Sequence, residues 1–290
     1  MKSKYEDGVY THLSNFDYHH DNRLSRSGIL KLMDNPAKFK YHYIDNNEEA
    51  SETKNLTLGS AIHTACLEPH LLYERYAFYP EGIDARHKAG KEIKEANKDK
   101  KMLTFDDQKM LLDIQQSIFN NKIYQDHIQN NNNGMIECSL LYTSKVENIK
   151  LKSRPDFFND NVVIDLKSCA SIKQRDFENS MAIYGYHIQA AMIQDALEQL
   201  TGKLYNDFIF LLVEKEPPYI CKSYYLSPKA IEIGRQQYIS TLHYYNYLIK
   251  TNLWDEENNL MSIATLPSWY LMKHSNKLDN QPIEEGDLWK

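Results

Sequence analysis

The sequence predicts an α/β fold: a central mixed β-sheet flanked by helices, with an N-terminal helical cover. Three observations predict it. The segments Ile149–Phe158 and Val162–Lys167 read as strands on either side of a tight turn, Asn159-Asp160-Asn161. A long helical stretch, 175–200, then leads into the apolar run Asn206–Val213. A helix between two strands permits a parallel crossover within one mixed sheet.

The chain has 290 residues, room for one large domain, and 42% of them are hydrophobic, enough for a sizeable core. No apolar run is long enough to span a membrane, and Met1–Asp7 lacks the apolar stretch of a signal peptide. The expectation is a cytoplasmic protein. The net charge of −6 argues against a protein that coats nucleic acid. It does not argue against a nuclease, whose metal site needs carboxylates and whose basic residues need only line one groove. Cys66, Cys138, Cys169 and Cys221 are widely spaced, which disfavours a zinc knuckle or an iron–sulfur cluster and fits buried, reduced thiols.

The elements follow in order. Residues 24–43 read as a helix capped by Ser25 or Ser27 and broken by Pro36. Leu58–Tyr73 reads as a second helix, interrupted near Pro69. Residues 81–103 carry Arg86, Lys88, Lys91, Lys94 and Lys98 among acids and read as a solvated helix or a flap. Residues 104–128 form an amphipathic helix, with Thr104 and Asp107 as a capping box and Leu111, Ile114 and Ile118 at helical spacing. Asn130–Gly134 is turn chemistry. Met135–Tyr142 opens the strands, and Tyr219–Leu226 pairs back on Asn206–Val213. Residues 228–250 form a tyrosine-rich helix. The expected domain is 1–270, with 271–290 as a polar tail of disordered composition.

The chemistry-bearing stretch is Arg154-Pro155-Asp156 with Asp165-Leu166-Lys167. Strand, turn and strand place two carboxylates and an ammonium at neighbouring strand ends, and Lys167 shares a face with Asp165. Phosphodiester hydrolysis needs an activated water, an offset for the transition-state charge and a stabilised leaving oxygen. Carboxylate-held Mg2+ can supply all three. Asp156 and Asp165 are therefore the expected ligands, with the Leu166 carbonyl as a third, and Lys167 orients the water or offsets charge. A lone D-x-K would be read as an ordinary surface strand; the second aspartate shifts that balance. His63, in Gly59-Ser60-Ala61-Ile62-His63, reads alone as a packed core residue, and Glu137 as a solvent-facing strand position. Tyr184, Tyr186, His187 and Gln189 open the helical stretch after the second strand. They read either as its exposed face or as groups that bind phosphate.

Together these pieces resemble the PD-(D/E)XK nuclease superfamily, in its RecB-like branch, and most of all the RecE-like exodeoxyribonucleases of exonuclease VIII type. The resemblance covers roughly Leu24 to Tyr270. Its six elements are the helix from Ser25 to Pro36, the Gly59-to-His63 segment, Lys88-Ala89-Gly90-Lys91, the two aspartate strands, Tyr186-His187-Ile188-Gln189, and Leu266-Pro267-Ser268-Trp269. It implies metal ligation by His63, Asp156, Asp165 and the Leu166 carbonyl, with Glu137 serving a second ion or its water. It implies a catalytic Lys167, and Gln189 and Tyr186 near metal-bound water or the DNA end. Arg26, Ser27, Lys31, Arg86, Lys88, Lys91 and Arg154 would meet DNA. Two Mg2+ ions per site are implied, with Mn2+ as the alternative.

The implied activity is 5′-to-3′ digestion of linear double-stranded DNA, exposing 3′ single strands for recombination by annealing. A homo-oligomeric ring and a single-strand annealing partner are implied with it, in a phage or prophage setting. One departure stands out: the tyrosine often found four residues after the glutamine is Ile193 here, so Tyr184 or Tyr186 would have to supply the phenol. The rival expectations are another nuclease of the same superfamily and a silent DNA-binding module on the same fold.

Overall fold

A computed structural model describes residues 4–45, 47, 53–130, 133–255, 264–268, 270 and 272. The chain falls into two units, Met1–Asn252 and Leu253–Lys290. Most of the second, including Trp269 of the expected C-terminal signature and the expected tail apart from Met272, lies outside the described residues.

The larger unit is built on a five-stranded mixed sheet. Its order is Cys221–Tyr225, Asp207–Glu214, Val162–Cys169, Phe157–Phe158, Met135–Ile136. Val162–Cys169 and Asp207–Glu214 run parallel, with Asp165 opposite Phe210, so the expected crossover is present; the other pairs are antiparallel. The two central strands are buried almost throughout (Val162–Leu166 and Phe208–Val213), as strands covered on both faces must be. Val162, Ile164 and Leu166 join a core with Ile209, Leu211 and Val213, packed by helices Lys54–Leu67 and Phe105–Phe119 through Ala61, Ile62, Ala65, Leu111, Ile114 and Ile118. By strand alternation, Asp165 and Lys167 lie on the opposite face.

The expected strands Met135–Tyr142 and Ile149–Phe158 form a single hairpin that changes sheet halfway. Met135 pairs with Phe158 and Ile136 with Phe157 in the main sheet. Beyond a kink, Ser139–Thr143 and Lys150–Ser153 pair in a three-stranded sheet completed by Gly8–Tyr10. The kink residues are Glu137 and Cys138 on one strand and Arg154, Pro155 and Asp156 on the other. Pro155 has no N–H to donate to a ladder, and Glu137 takes φ +51°, a left-handed conformation uncommon for a side chain of this kind.

Local signals placed most helix ends. Ser25 caps Arg26–Asp34, and Pro36 starts a separate short helix. Lys54–Leu67 stops before Pro69. The Thr104–Asp107 capping box is present, each backbone N–H bonded to the other side chain. Three expectations need correction. The helix from Thr104 ends at Phe119, because Asn121 caps a new turn at Ile123. The stretch 175–200 is two helices, Gln174–Tyr184 and Tyr186–Thr201, divided at Gly185 with φ +62°. The segment 81–103 contains helix Lys88–Ala96 and the strand Lys101–Leu103, which pairs in parallel with Tyr76–Phe78. The four cysteines are free thiols. Among the described residues, no helix is long and apolar enough to cross a membrane.

Candidate metal-dependent active site

The kink in the hairpin creates the site. Glu137 and Asp156 sit across from each other where the two strands leave the main sheet, and the Glu137 N–H donates to the Asp156 carbonyl at 3.0 Å. Helix Lys54–Leu67 buries Ala61, Ile62, Ala65 and Cys66, and His63 is half-buried on its remaining edge. Its Nδ1 lies 3.4 Å from Asp156 Oδ1 and 3.7 Å from Glu137 Oε1. One ligand atom from each of His63, Glu137 and Asp156 falls within 4.8 Å of the others. The histidine is therefore turned toward two carboxylates and is not simply a core residue.

Asp156 is held from behind: its Oδ2 accepts the Leu166 N–H at 2.6 Å. That contact ties the first aspartate to the strand of the second. Of Leu166, the structure puts the N–H on Asp156; the ligand role of its carbonyl stays an expectation.

Asp165 is fully buried and does not belong to the three-residue group. Its Oδ1 accepts from Gln189 Nε2 at 2.6 Å. Its Oδ2 is ion-paired with the Lys167 ammonium. Lys167 Nζ also lies 5.1 Å from the centre of the Tyr186 ring, a cation–π contact. Asp165, Lys167, Gln189 and Tyr186 thus form a connected cluster.

Burial alone would lower the pKa of His63, but the Asp156 and Glu137 carboxylates override it and raise it to about 10. The two acids thus favour a positive charge at this point. Burial raises the Asp165 carboxyl, against the pull of Lys167. An imidazole nitrogen and two carboxylates with ligand atoms within 4.8 Å of one another fit a small divalent metal ion.

Other expected residues have different surroundings. Tyr184 is exposed, and its ring lies 5.8 Å from that of Tyr186. His187 faces away into the helix packing, with Nδ1 3.2 Å from the Met181 carbonyl and Nε2 2.7 Å from Gln237 Oε1. Arg154 commits its guanidinium within the protein: to Ser139 Oγ, to the Leu13 carbonyl at 3.0 Å, and over the Tyr18 ring. It braces the N-terminal segment against the kink; the resemblance implied a DNA contact for it. Arg86 is paired with Asp84, and Lys88 lies 4.0 Å from Glu92. Lys91 and Ser27 are exposed, and Lys31 lies 5.9 Å from the centre of the Tyr43 ring. Arg26 is the exception among the basic residues: it reaches Gln189. Sequence reasoning missed two features of the site. One is the left-handed Glu137, for which no sequence signal exists. The other is the helix break, for which the glycine in Tyr184-Gly185-Tyr186 was the available sign.

Residues 25–260 match a family model described as a PDDEXK-like domain of unknown function, DUF3799. The motif behind that description is present as Pro155-Asp156 and Asp165-Leu166-Lys167. Among solved structures, the chain is similar to a candidate exonuclease from Eubacterium rectale. The TM-score is 0.58 at 15% identity, covering 90% of this chain and 98% of that one; this is a likeness of fold. A weaker similarity, to SSO0001, has a TM-score of 0.40 at 13% identity over 85% of this chain and 89% of that one, and carries no argument. No curated protein matches the chain.

Proposed function

The chain belongs to the PDDEXK-like DUF3799 family, and from that premise we propose that it is a divalent-metal-dependent nuclease. In this reading it digests linear duplex DNA from the 5′ end and leaves 3′ single strands for annealing. The observation that carries the nuclease reading is the convergence of His63, Glu137 and Asp156 within 4.8 Å, beside the ion pair of Asp165 and Lys167. The polarity and the duplex preference rest on the resemblance to RecE-like enzymes.

His63, Glu137 and Asp156 would hold the metal, with Asp165 and the Leu166 carbonyl as neighbouring oxygen donors. The ion is Mg2+ in this reading, with Mn2+ as the second candidate, and two ions share the site. When bound, it supplies a positive charge against the phosphoryl oxygens and an acidified water. The protein's own groups do the rest. Lys167, fixed by Asp165 and by the Tyr186 ring, offers its ammonium to the attacking water or to a phosphate oxygen. Gln189 keeps Asp165 from rotating. Tyr186 would supply the phenol that Ile193 cannot. Basic residues such as Lys91 guide the duplex, and a homo-oligomeric ring in the cytoplasm, paired with a single-strand annealing protein, completes the proposal.

The test is digestion of linear duplex DNA labelled at the 5′ or the 3′ end, with Mg2+ or Mn2+, beside a closed circle. Early release of 5′ label with the circle intact supports the full reading. Early 3′ release overturns the polarity, and cutting of the circle indicates an endonuclease. No cleavage by folded protein with either metal leaves a silent DNA-binding module.

A further inference from the structure

A residue hydrogen-bonded to Gln189 stands on a different part of the chain. Arg26 is the first residue of helix Arg26–Asp34, whose start is set by the Ser25 cap. That start is tied to the bent hairpin by the bonds of Leu24 to Lys150 and Lys152. Arg26 Nη1 lies 3.3 Å from Gln189 Oε1 and 3.1 Å from the carbonyl of Tyr184, and its guanidinium is 5.8 Å from the centre of the Tyr186 ring. On its other side, the Gln189 amide donates to Asp165 at 2.6 Å.

A side-chain amide has a donor end and an acceptor end of nearly the same shape, and nothing in Gln189 itself selects between them. The neighbours do. A guanidinium can only donate, and an ionised carboxylate can only accept. Only one orientation satisfies both; a flipped amide would set donor against donor at Arg26 and acceptor against acceptor at Asp165. We propose that Arg26 is a positioning residue: it holds the Gln189 amide so that its N–H grips Asp165, and so holds the carboxylate that pairs with Lys167. The kinetic part of this proposal rests on the nuclease reading above.

The packing brings the helix break close to the helix that carries Arg26. At Gly185 an added Cβ would lie 2.7 Å from Leu30 Cδ2, on the helix that carries Arg26. The helix break and the arginine are therefore held against each other. The remaining donors of Arg26 carry no hydrogen bond among the described residues, and these are what a DNA phosphate would use. The two roles separate experimentally: a phosphate contact acts on DNA affinity, whereas a positioning contact acts on turnover through Gln189.

The first readout needs no activity. The Gln189 side-chain amide is identified in a nitrogen–proton correlation spectrum by its loss in Gln189→Leu. In Arg26→Ala it should move and exchange faster with water, and in Arg26→Lys, which keeps one donor, the effect should be intermediate. In the cleavage assay Arg26→Ala should lower kcat by about 10–100-fold, the range for groups that orient a metal site. KM for DNA and its salt dependence should stay unchanged. In the Gln189→Leu background the same substitution should cause no further fall. An unchanged Gln189 amide in folded Arg26→Ala overturns the proposal. So does a raised KM with a shallower salt slope, or an equal kcat loss in both backgrounds. If the wild type cleaves nothing, the nuclease reading fails and the amide spectrum still decides the role of Arg26.

Discussion

Substituting one glycine far from the carboxylates should both destabilise the fold and slow the reaction. Helix Pro228–Thr251 crosses helix Tyr186–Thr201 at Gly234. An added Cβ there would lie 2.3 Å from the His187 carbonyl oxygen, 2.5 Å from its carbon and 2.8 Å from the Ile188 nitrogen. The obstacle is backbone, so no side-chain rotation relieves it. Non-bonded heavy atoms settle at about 3.5 Å, so in Gly234→Ala the two helices must part by roughly 1 Å. Overpacking of this kind costs about 1–3 kcal/mol, sometimes more. At about 2–4 °C per kcal/mol for a large domain, Tm should fall by about 2–12 °C.

The same displacement reaches the site, because Gln189 is two residues from His187. Its 2.6 Å bond to Asp165, lengthened by about 1 Å, passes out of hydrogen-bonding range. Thermal unfolding followed by circular dichroism, beside the cleavage rate on linear duplex, measures both effects. Ile233→Ala, on the exposed face of the same helix, is the control and should change neither. Wild-type melting of Gly234→Ala would refute the close approach. A lowered Tm with an undiminished rate would refute its coupling to Gln189.

The other predictions concern the site and its supports. Asp165→Asn and Asp156→Ala should abolish cleavage, and Lys167→Ala should lose most turnover while retaining DNA binding in a gel-shift assay; an unchanged rate in Asp165→Asn would sink the site assignment. His63, raised from 6.5 to about 10 by its two acids, favours the metal-free fold below pH 6.5 and loses that contribution as pH rises toward 10. Metal needs the neutral ring, so metal affinity measured by calorimetry should rise with pH over that window, by up to about tenfold per unit. His63→Ala should weaken binding and flatten the slope; unfolding without any change in metal dependence would return the histidine to the core. Arg154→Ala should lower stability by about 2–4 kcal/mol, through the lost contacts to Ser139, Leu13 and Tyr18, with DNA affinity little changed. A loss of affinity at unchanged Tm would restore Arg154 to the DNA surface.

Much of the fold was legible because its signals are local. Asn159 closes the turn with its own side chain, accepting from Asn161 and Val162. Thr104 and Asp107 close their capping box within one turn. Pro36 and Pro69 end helices by their own geometry. The alternation that put Asp165 and Lys167 on one face is a property of any strand, and the two side chains do meet. The strand Gly8–Tyr10 was not legible, because three residues have no periodicity to read and their pairing with Ser139–Thr143 depends on a distant hairpin. Nor was the sheet change at Pro155 read from the run Ile149–Phe158, which has strand composition on both sides of the proline.

For the site, spacing alone put Asp156, Asp165 and Lys167 together, while His63, Glu137 and Gln189 entered only through the resemblance to a nuclease family. What only the tertiary structure decided is how they divide. Asp156 and Asp165 are equal candidates by spacing, yet Asp165 is gripped by Lys167 and Gln189, while His63 and Glu137 close on Asp156. That division depends on a kinked hairpin, a left-handed Glu137 and a helix broken at Gly185. Each of these is held by contacts between residues far apart in the chain. Local preferences choose helix, strand or turn, but only packing across the core sets the few ångströms that separate a ligand from a neighbour.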